Sequence, residues 1–230
     1  MSPRLQLGAF NLVGRAPDTW YAEPPLQNID FVQVFSLFLV LLFSLTVHEA
    51  AHAWTADRLG DPTARMLGRV SLNPAVHVDP IGTIVFPLVA LLTNLPIIGW
   101  AKPVPVSPAR LHPHWRQKFM VIAAAGPASN LVLAVIAAVV LKIVDIGGLG
   151  GALLETSVRI NVLLAIFNMV PVPPLDGGNV LAGMLTGPMA ETFDRLRPYG
   201  FLILYGLMFT GVLYTLISPP AGLLLSLLLG

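Results

Sequence analysis

Apolar residues run along this chain in five long blocks: Phe31 to about Leu59, Ile81 to Ile98, Phe119 to Val144, Val158 to Val170 and Tyr199 to Ile217. Blocks near or above about 18 residues have the length of a helix that crosses a bilayer. A last apolar run, Ala221–Leu229, follows Pro219 and Pro220; it is too short to span, so the pattern predicts a tail lying at the interface or against the bundle. Between the first two blocks, alternation around Met66, Gly68, Val70 and Leu72, bounded by turn signals at Gly60–Pro62 and Asn73–Pro74, predicts a short strand. The prolines of Trp100–Pro108 forbid helix and predict a second extended stretch. The expected fold class is an all-α polytopic membrane protein: a bundle of about four to five spanning helices with a small β-hairpin or edge sheet beside it.

Composition sharpens this picture. Of 230 residues, 55% are hydrophobic and 11% charged, against about a quarter charged in a soluble domain. A water-soluble fold could not solvate its surface with so few charges. The formal net charge of +1 lacks the basic surplus that nucleic-acid binding demands, so no nucleic-acid partner is expected. The absence of cysteine removes disulfides, thiolate metal sites and cysteine nucleophiles. The first 28 residues lack the layout of a signal peptide, and residues 1–30 are expected to form an extracytoplasmic arm. Residues 31–183 would be a catalytic membrane core, and 184–230 a C-terminal helix with its tail.

The sharpest chemical signal is HEAAH at His48–His52, inside the first apolar block. Histidines four apart share a helical face, so both imidazoles can reach one tetrahedral Zn²⁺ while Glu49 meets a water at the metal. Ionisable residues within a membrane helix are costly and mark function. A catalytic zinc takes a third protein ligand and leaves one position open. The candidate is Asp176 in NMVPVPPLDGG, where Pro171, Pro173 and Pro174 stop a helix and Gly177 and Gly178 are expected to let the backbone turn sharply.

HEAAH, GPASN at Gly126–Asn130 and NMVPVPPLDGG at Asn168–Gly178, in this order, resemble the site-2 protease family of intramembrane zinc metalloproteases. They match its HExxH, G-P-x-x-N and N-x-x-P-x-x-P-L-D-G-G elements and cover residues 31 to about 180. The resemblance implies Zn²⁺ as cofactor, Asp176 as third ligand, and hydrolysis of transmembrane or signal-peptide-like segments of proteins in the lipid bilayer. Gly126, Pro127 and Asn130 are expected to be structural, with Gly126 and Ala128 allowing close helix contact and the Asn130 amide bonding across it. Asn168 is a candidate donor to the oxyanion or the substrate backbone, or else an amide that cross-links two helices. His77 reads as an interfacial loop residue or one near the cleft, and His112 and His114 as surface residues beside Trp115.

Depth supports convergence. His48 lies about 26 Å along the helix from Phe31, and Asp176 at most about 27 Å from Val158. The two share a level if their segments run in the same direction. That requires one crossing between them, supplied by Phe119–Val144, so Ile81–Ile98, with Pro80, Pro87 and Pro96 along it, is expected to be re-entrant. Arg58, Arg65, Arg69, Lys102, Arg110, Arg116, Lys118, Arg195 and Arg197, nine of thirteen cations, then share one side, which marks it as cytoplasmic in a multi-pass protein of the cell membrane and brings the site nearer that side. A metal-ion transporter using the same ligands is the alternative from another class. It would need a polar path to both faces, and Phe31–Val47 offers only Gln33, Ser36, Ser44 and Thr46.

Overall fold

The computed structural model describes residues 31–85, 89 and 101–230. Helix α1 spans Phe31–Arg58 and ends where Gly60 takes φ +104°. The Gly60 N–H returns to the Asp57 carbonyl and the Asp61 N–H to that of Ala56, the paired closure that satisfies a helix's last carbonyls. A single turn, α2 (Thr63–Met66), follows. Next come α3 (Trp115–Ile143), α4 (Gly148–Asn168) and α5 (Asp176–Met184). The chain closes with α6 (Gly187–Leu196), α7 (Gly200–Phe209) and α8 (Val212–Leu229). Among the described residues α1, α3, α4 and α8 are long and apolar enough to cross a membrane.

Their surfaces have the inverted character that lipid requires. Phe35, Phe38 and Phe43 on α1 and Val132, Val135, Ile136 and Val139 on α3 are exposed, while Ser44, His48, Glu49, Asn130 and Asn161 are buried. On α3 the residues at 122, 126, 130, 134 and 138 are buried, a row of every fourth position. The facing row on α1 is Ser44, His48, His52 and Ala56. Small side chains in these rows bring the two backbones close. Ala128, two positions from Gly126, points away and is exposed; a helix turns about 200° in two residues, so these two could not share the contact.

Side-chain bonds fix the directions. As α1 rises from His48 to His52, its partners on α3 fall from Asn130 to Ile122, so these helices are antiparallel. Asn130 bonds Asn161 on α4, whereas Arg116, near the start of α3, bonds the Ala182 carbonyl on α5. The run from α4 to α5 is therefore antiparallel to α3 as well, and α1 and α4 point the same way.

Several expectations need correction. The expected strands do not form: among the described residues there is no β-strand. Met66, Leu67 and Leu72 are all exposed, and Gly68 takes φ +69°. The neighbouring 101–107 stretch is held by other bonds than a ladder. The Arg69 guanidinium donates to the Lys102 carbonyl, Lys102 N–H to the His77 carbonyl, and Ser107 N–H to Asp61.

The C-terminal run packs against the bundle, but as part of a longer helix and not as a separate tail. Pro219 and Pro220 lie inside α8, and the helix break falls at Gly211, with φ +76°. Ile217 and Ala221 belong to the main core with Val158, Val162, Ala134 and Ala138, and such packing compensates the bonds that the prolines remove. Helix α4 starts ten residues before the predicted Val158; Glu155 and Arg159, which interrupt the apolar run, are accommodated in it as an exposed pair 2.6 Å apart and one turn from each other. Of the segment expected to be re-entrant, Pro80–Val85 forms a wide helical turn; the rest, apart from residue 89, lies outside the described residues.

Candidate metal centre

Helix α1 presents His48 and His52 on its α3-facing row, 4% and 8% exposed. The Asp176 carboxylate reaches them from the first residue of α5. Its Oδ2 lies 3.0 Å from His48 Nε2 and 3.3 Å from His52 Nε2, and the two Nε2 atoms are 3.0 Å apart. Tetrahedral zinc with ligand bonds of about 2.0–2.2 Å holds neighbouring donors about 3.3 Å apart. The observed triangle is within a few tenths of an ångström of that spacing.

The other ring nitrogens decide what these three atoms are. His48 Nδ1 lies 2.6 Å from Asn130 Oδ1, and His52 Nδ1 lies 2.7 Å from the Ile122 carbonyl. Both partners can only accept, so each Nδ1 carries the proton and each Nε2 presents a lone pair. Asp176 Oδ2 has no hydrogen-bond donor. Three buried acceptors thus converge on one point, an arrangement that a cation at their centre satisfies. Space for it exists at Gly126. A Cβ there would lie 2.4 Å from His52 Nε2 and 2.5 Å from His48 Nε2. The glycine expected to serve helix contact thus also keeps the metal position open.

Asp176 is carried into place by backbone packing. After Asn168 the chain folds through the prolines of 169–175 and restarts as α5. A Cβ on Gly177 would lie 2.3 Å from the Met169 carbonyl oxygen, and one on Gly178 2.7 Å from Pro173 N. Both glycines are inside the helix, so their value is close approach of α5 to the preceding loop; the sharp turn expected of them is made by the proline stretch. Rim contacts brace the same helix. Arg116 donates to Asp194 at 2.7 Å, and Arg197 to Asp194 at 3.0 Å and to Asn179 on α5 at 3.1 Å. The Arg116 hydrogen bond, with the charge of Arg197 beside it, holds the Asp194 carboxyl below its ordinary value.

Glu49 follows His48 on α1 and is 9% exposed. Asn168 donates Nδ2 to the Leu164 carbonyl of its own helix at 3.0 Å, and none of its described bonds reaches the cluster. His77 is 2% exposed, and its Nε2 donates to the Ser71 carbonyl at 2.8 Å; it ties a loop together from within. His112 and His114 are exposed. Pro127 is buried within α3. Asn161, absent from the sequence reading, has no exposed surface and bonds Asn130 at 2.8 Å. An amide in the middle of an apolar block was the signal that could have found it.

A helical membrane protein whose HExxH histidines meet an aspartate from the turn after a second span-length helix in a lone-pair triangle has the equipment of a zinc hydrolase. Comparison with known proteins agrees. The chain is 35% identical over 183 residues to YwhC of Bacillus subtilis, covering 76% of this chain and 80% of that protein. It is 32% identical over 209 residues to Rip2 of Mycolicibacterium smegmatis, covering 84% and 74%. Both are provisionally named zinc metalloproteases. The zinc metalloprotease MJ0392 of Methanocaldococcus jannaschii is 25% identical over 166 residues, 72% of this chain and 36% of that one. No family model and no solved structure matches. The chain belongs to the zinc metalloprotease family of YwhC and Rip2. Zinc is its cofactor, and proteolysis its activity.

Proposed function

We propose that this protein is an intramembrane endopeptidase of the site-2 protease type, cutting transmembrane or signal-peptide-like segments of membrane proteins in the cell membrane. The observation that carries the reading is the triangle itself: its three acceptors come from a span-length helix and from the turn that follows another, with both histidines buried and Asp176 partly so. His48, His52 and Asp176 would hold the zinc. The crowding of Arg58, Arg116, Lys118, Arg195 and Arg197 at the end where α1 finishes and α3 starts supports a cytoplasmic assignment for that end.

Zinc bound there supplies Lewis acidity, polarising a scissile carbonyl and making a water acidic near neutral pH. Glu49, one position from the first histidine, would accept the proton of the attacking water and pass it to the leaving amine. Asn130 and the Ile122 carbonyl hold the imidazoles in the tautomer that leaves Nε2 free. Asn168 remains a candidate donor to the oxyanion, at the expense of its bond to Leu164. Apolar helices around the site exclude bulk water, which strengthens each of these charge interactions.

The test is cleavage of a tagged membrane-spanning peptide by detergent-purified protein. Glu49→Gln should keep its zinc and lose about 10²–10⁴-fold in rate. Equal cleavage by both proteins would overturn the mechanism. Zinc flux into sealed vesicles that survives Glu49→Gln would favour the transporter.

A further inference from the structure

Asn130 holds His48 through an amide oxygen, yet an amide has nearly the same shape when its oxygen and nitrogen exchange places. Flipped, Asn130 would offer N–H groups to His48 Nδ1. The proton would then move to Nε2, and the nitrogen aimed into the triangle would no longer have a lone pair. Something must fix the amide's direction. Its Nδ2 lies 2.8 Å from Asn161 Oδ1 and 3.4 Å from the Ser44 carbonyl, and the shorter of these is the stronger constraint. Asn161 is fixed in turn, because its Nδ2 lies 2.9 Å from the Ser157 carbonyl and 3.3 Å from the Ser157 hydroxyl. The backbone carbonyl can only accept. Both asparagines have no exposed surface, so no water can substitute for either partner.

We propose that Asn161 is a positioning residue for the metal centre. From α4 it sets the direction of the Asn130 amide, and through it selects the His48 tautomer that can bind zinc. The chain of bonds starts at the Ser157 carbonyl, passes through two amides and ends on the imidazole. Each link admits one direction only. It couples α4 to a histidine on α1, through bonds in which Asn161 touches Asn130 and not the histidine. This rests on His48 being a zinc ligand, as proposed above.

Asn161→Asp and Asn161→Leu separate this role from packing. A protonated aspartic acid keeps one oxygen to accept from Asn130 and one O–H to give to Ser157; leucine fills similar volume and keeps neither. Zinc affinity, measured by competition with a chelator in detergent, should fall about 10–100-fold in Asn161→Leu, the usual cost of losing an outer partner of a ligand. In Asn161→Asp it should stay within about threefold of wild type. In metal-free protein with ¹⁵N-labelled histidine, His48 Nδ1 should be protonated in wild type and in Asn161→Asp, and lose that proton in part of the Asn161→Leu population. Should the leucine variant not fold, Asn161→Ala repeats the comparison without overpacking. Unchanged zinc affinity and an intact Nδ1 proton in the apolar variants would overturn the proposal. His48→Ala with wild-type zinc affinity would instead remove the ligand reading, while the Nδ1 signal would still report on the relay.

Discussion

Asn130 and Asn161 bond each other with no exposed surface, whereas Arg116, Asp194 and Arg197 meet at the rim with about a third of each side chain in water. Both networks join helices, the inner one through neutral amides and the outer one through charges. Inside the bundle no solvent replaces a lost partner, so each bond fixes the direction of the next and finally the chemical state of a histidine. At the rim water can stand in for either partner, and ion pairs there contribute little each. The inner web thus governs what the site can bind, and the outer one helps hold α5, which carries Asp176, against α3.

The largest effect should come from adding one methyl group at the centre. Gly126→Ala puts a carbon within about 2.5 Å of both Nε2 atoms, so the purified variant should contain almost no zinc while keeping its helical circular dichroism. Full zinc occupancy would mean that the metal sits elsewhere. Gly177→Ala comes next. Its Cβ would meet the Met169 carbonyl oxygen, and shifting backbone in a packed site costs about 1–3 kcal/mol or more. Both its thermal midpoint and its zinc affinity should fall, since α5 carries the aspartate.

Asp61 lies between the two extremes: fully buried, yet beyond the end of α1. It accepts from Thr63 N–H at 3.1 Å, from the Thr63 hydroxyl and from Ser107 N–H at 2.6 Å. Burial works to raise its pKa, but these hydrogen bonds, with Arg110 nearby, bring it below its ordinary value. Asp61→Ala leaves the Ser107 donor unpaired and should cost about 1.5–3 kcal/mol, read as a lower melting temperature with zinc content unchanged. The smallest effect belongs to the rim. The Asp194 pKa is lowered from 3.8 in the fold, so its contribution is complete above that pH and lost as pH falls through the folded-state value. Asp194→Asn should remove about 0.2–1 kcal/mol at pH 7, and none of that difference should remain in strongly acidic buffer. A gap that grew on acidification would contradict the assignment.

How much of this was legible in the sequence follows the same division. His48, His52 and Asp176 could be read because their chemistry sits in short motifs within apolar blocks, where a charged or imidazole side chain stands out. The limits of α1 and α3 were legible to within four residues, since Arg58 and Trp115 fall where the apolar runs change. What depends on partners distant in sequence was not legible. The alternation from Met66 to Leu72 looks like a strand until Arg69 is seen bonding the carbonyls of 102 and 103. Pro219 and Pro220 read as a break until α8 is seen packed on the core. Asn161 could have been noticed as a polar residue in lipid, but its link to Asn130 required both helices in place.

Zinc stoichiometry of Asp176→Ala tests most directly whether the first span and the turn after α4 converge on one ion. Wild type should carry one zinc per chain; the variant, with only the two imidazoles left, should lose it during purification against a mild chelator. A variant that keeps one zinc with wild-type affinity would contradict the shared site.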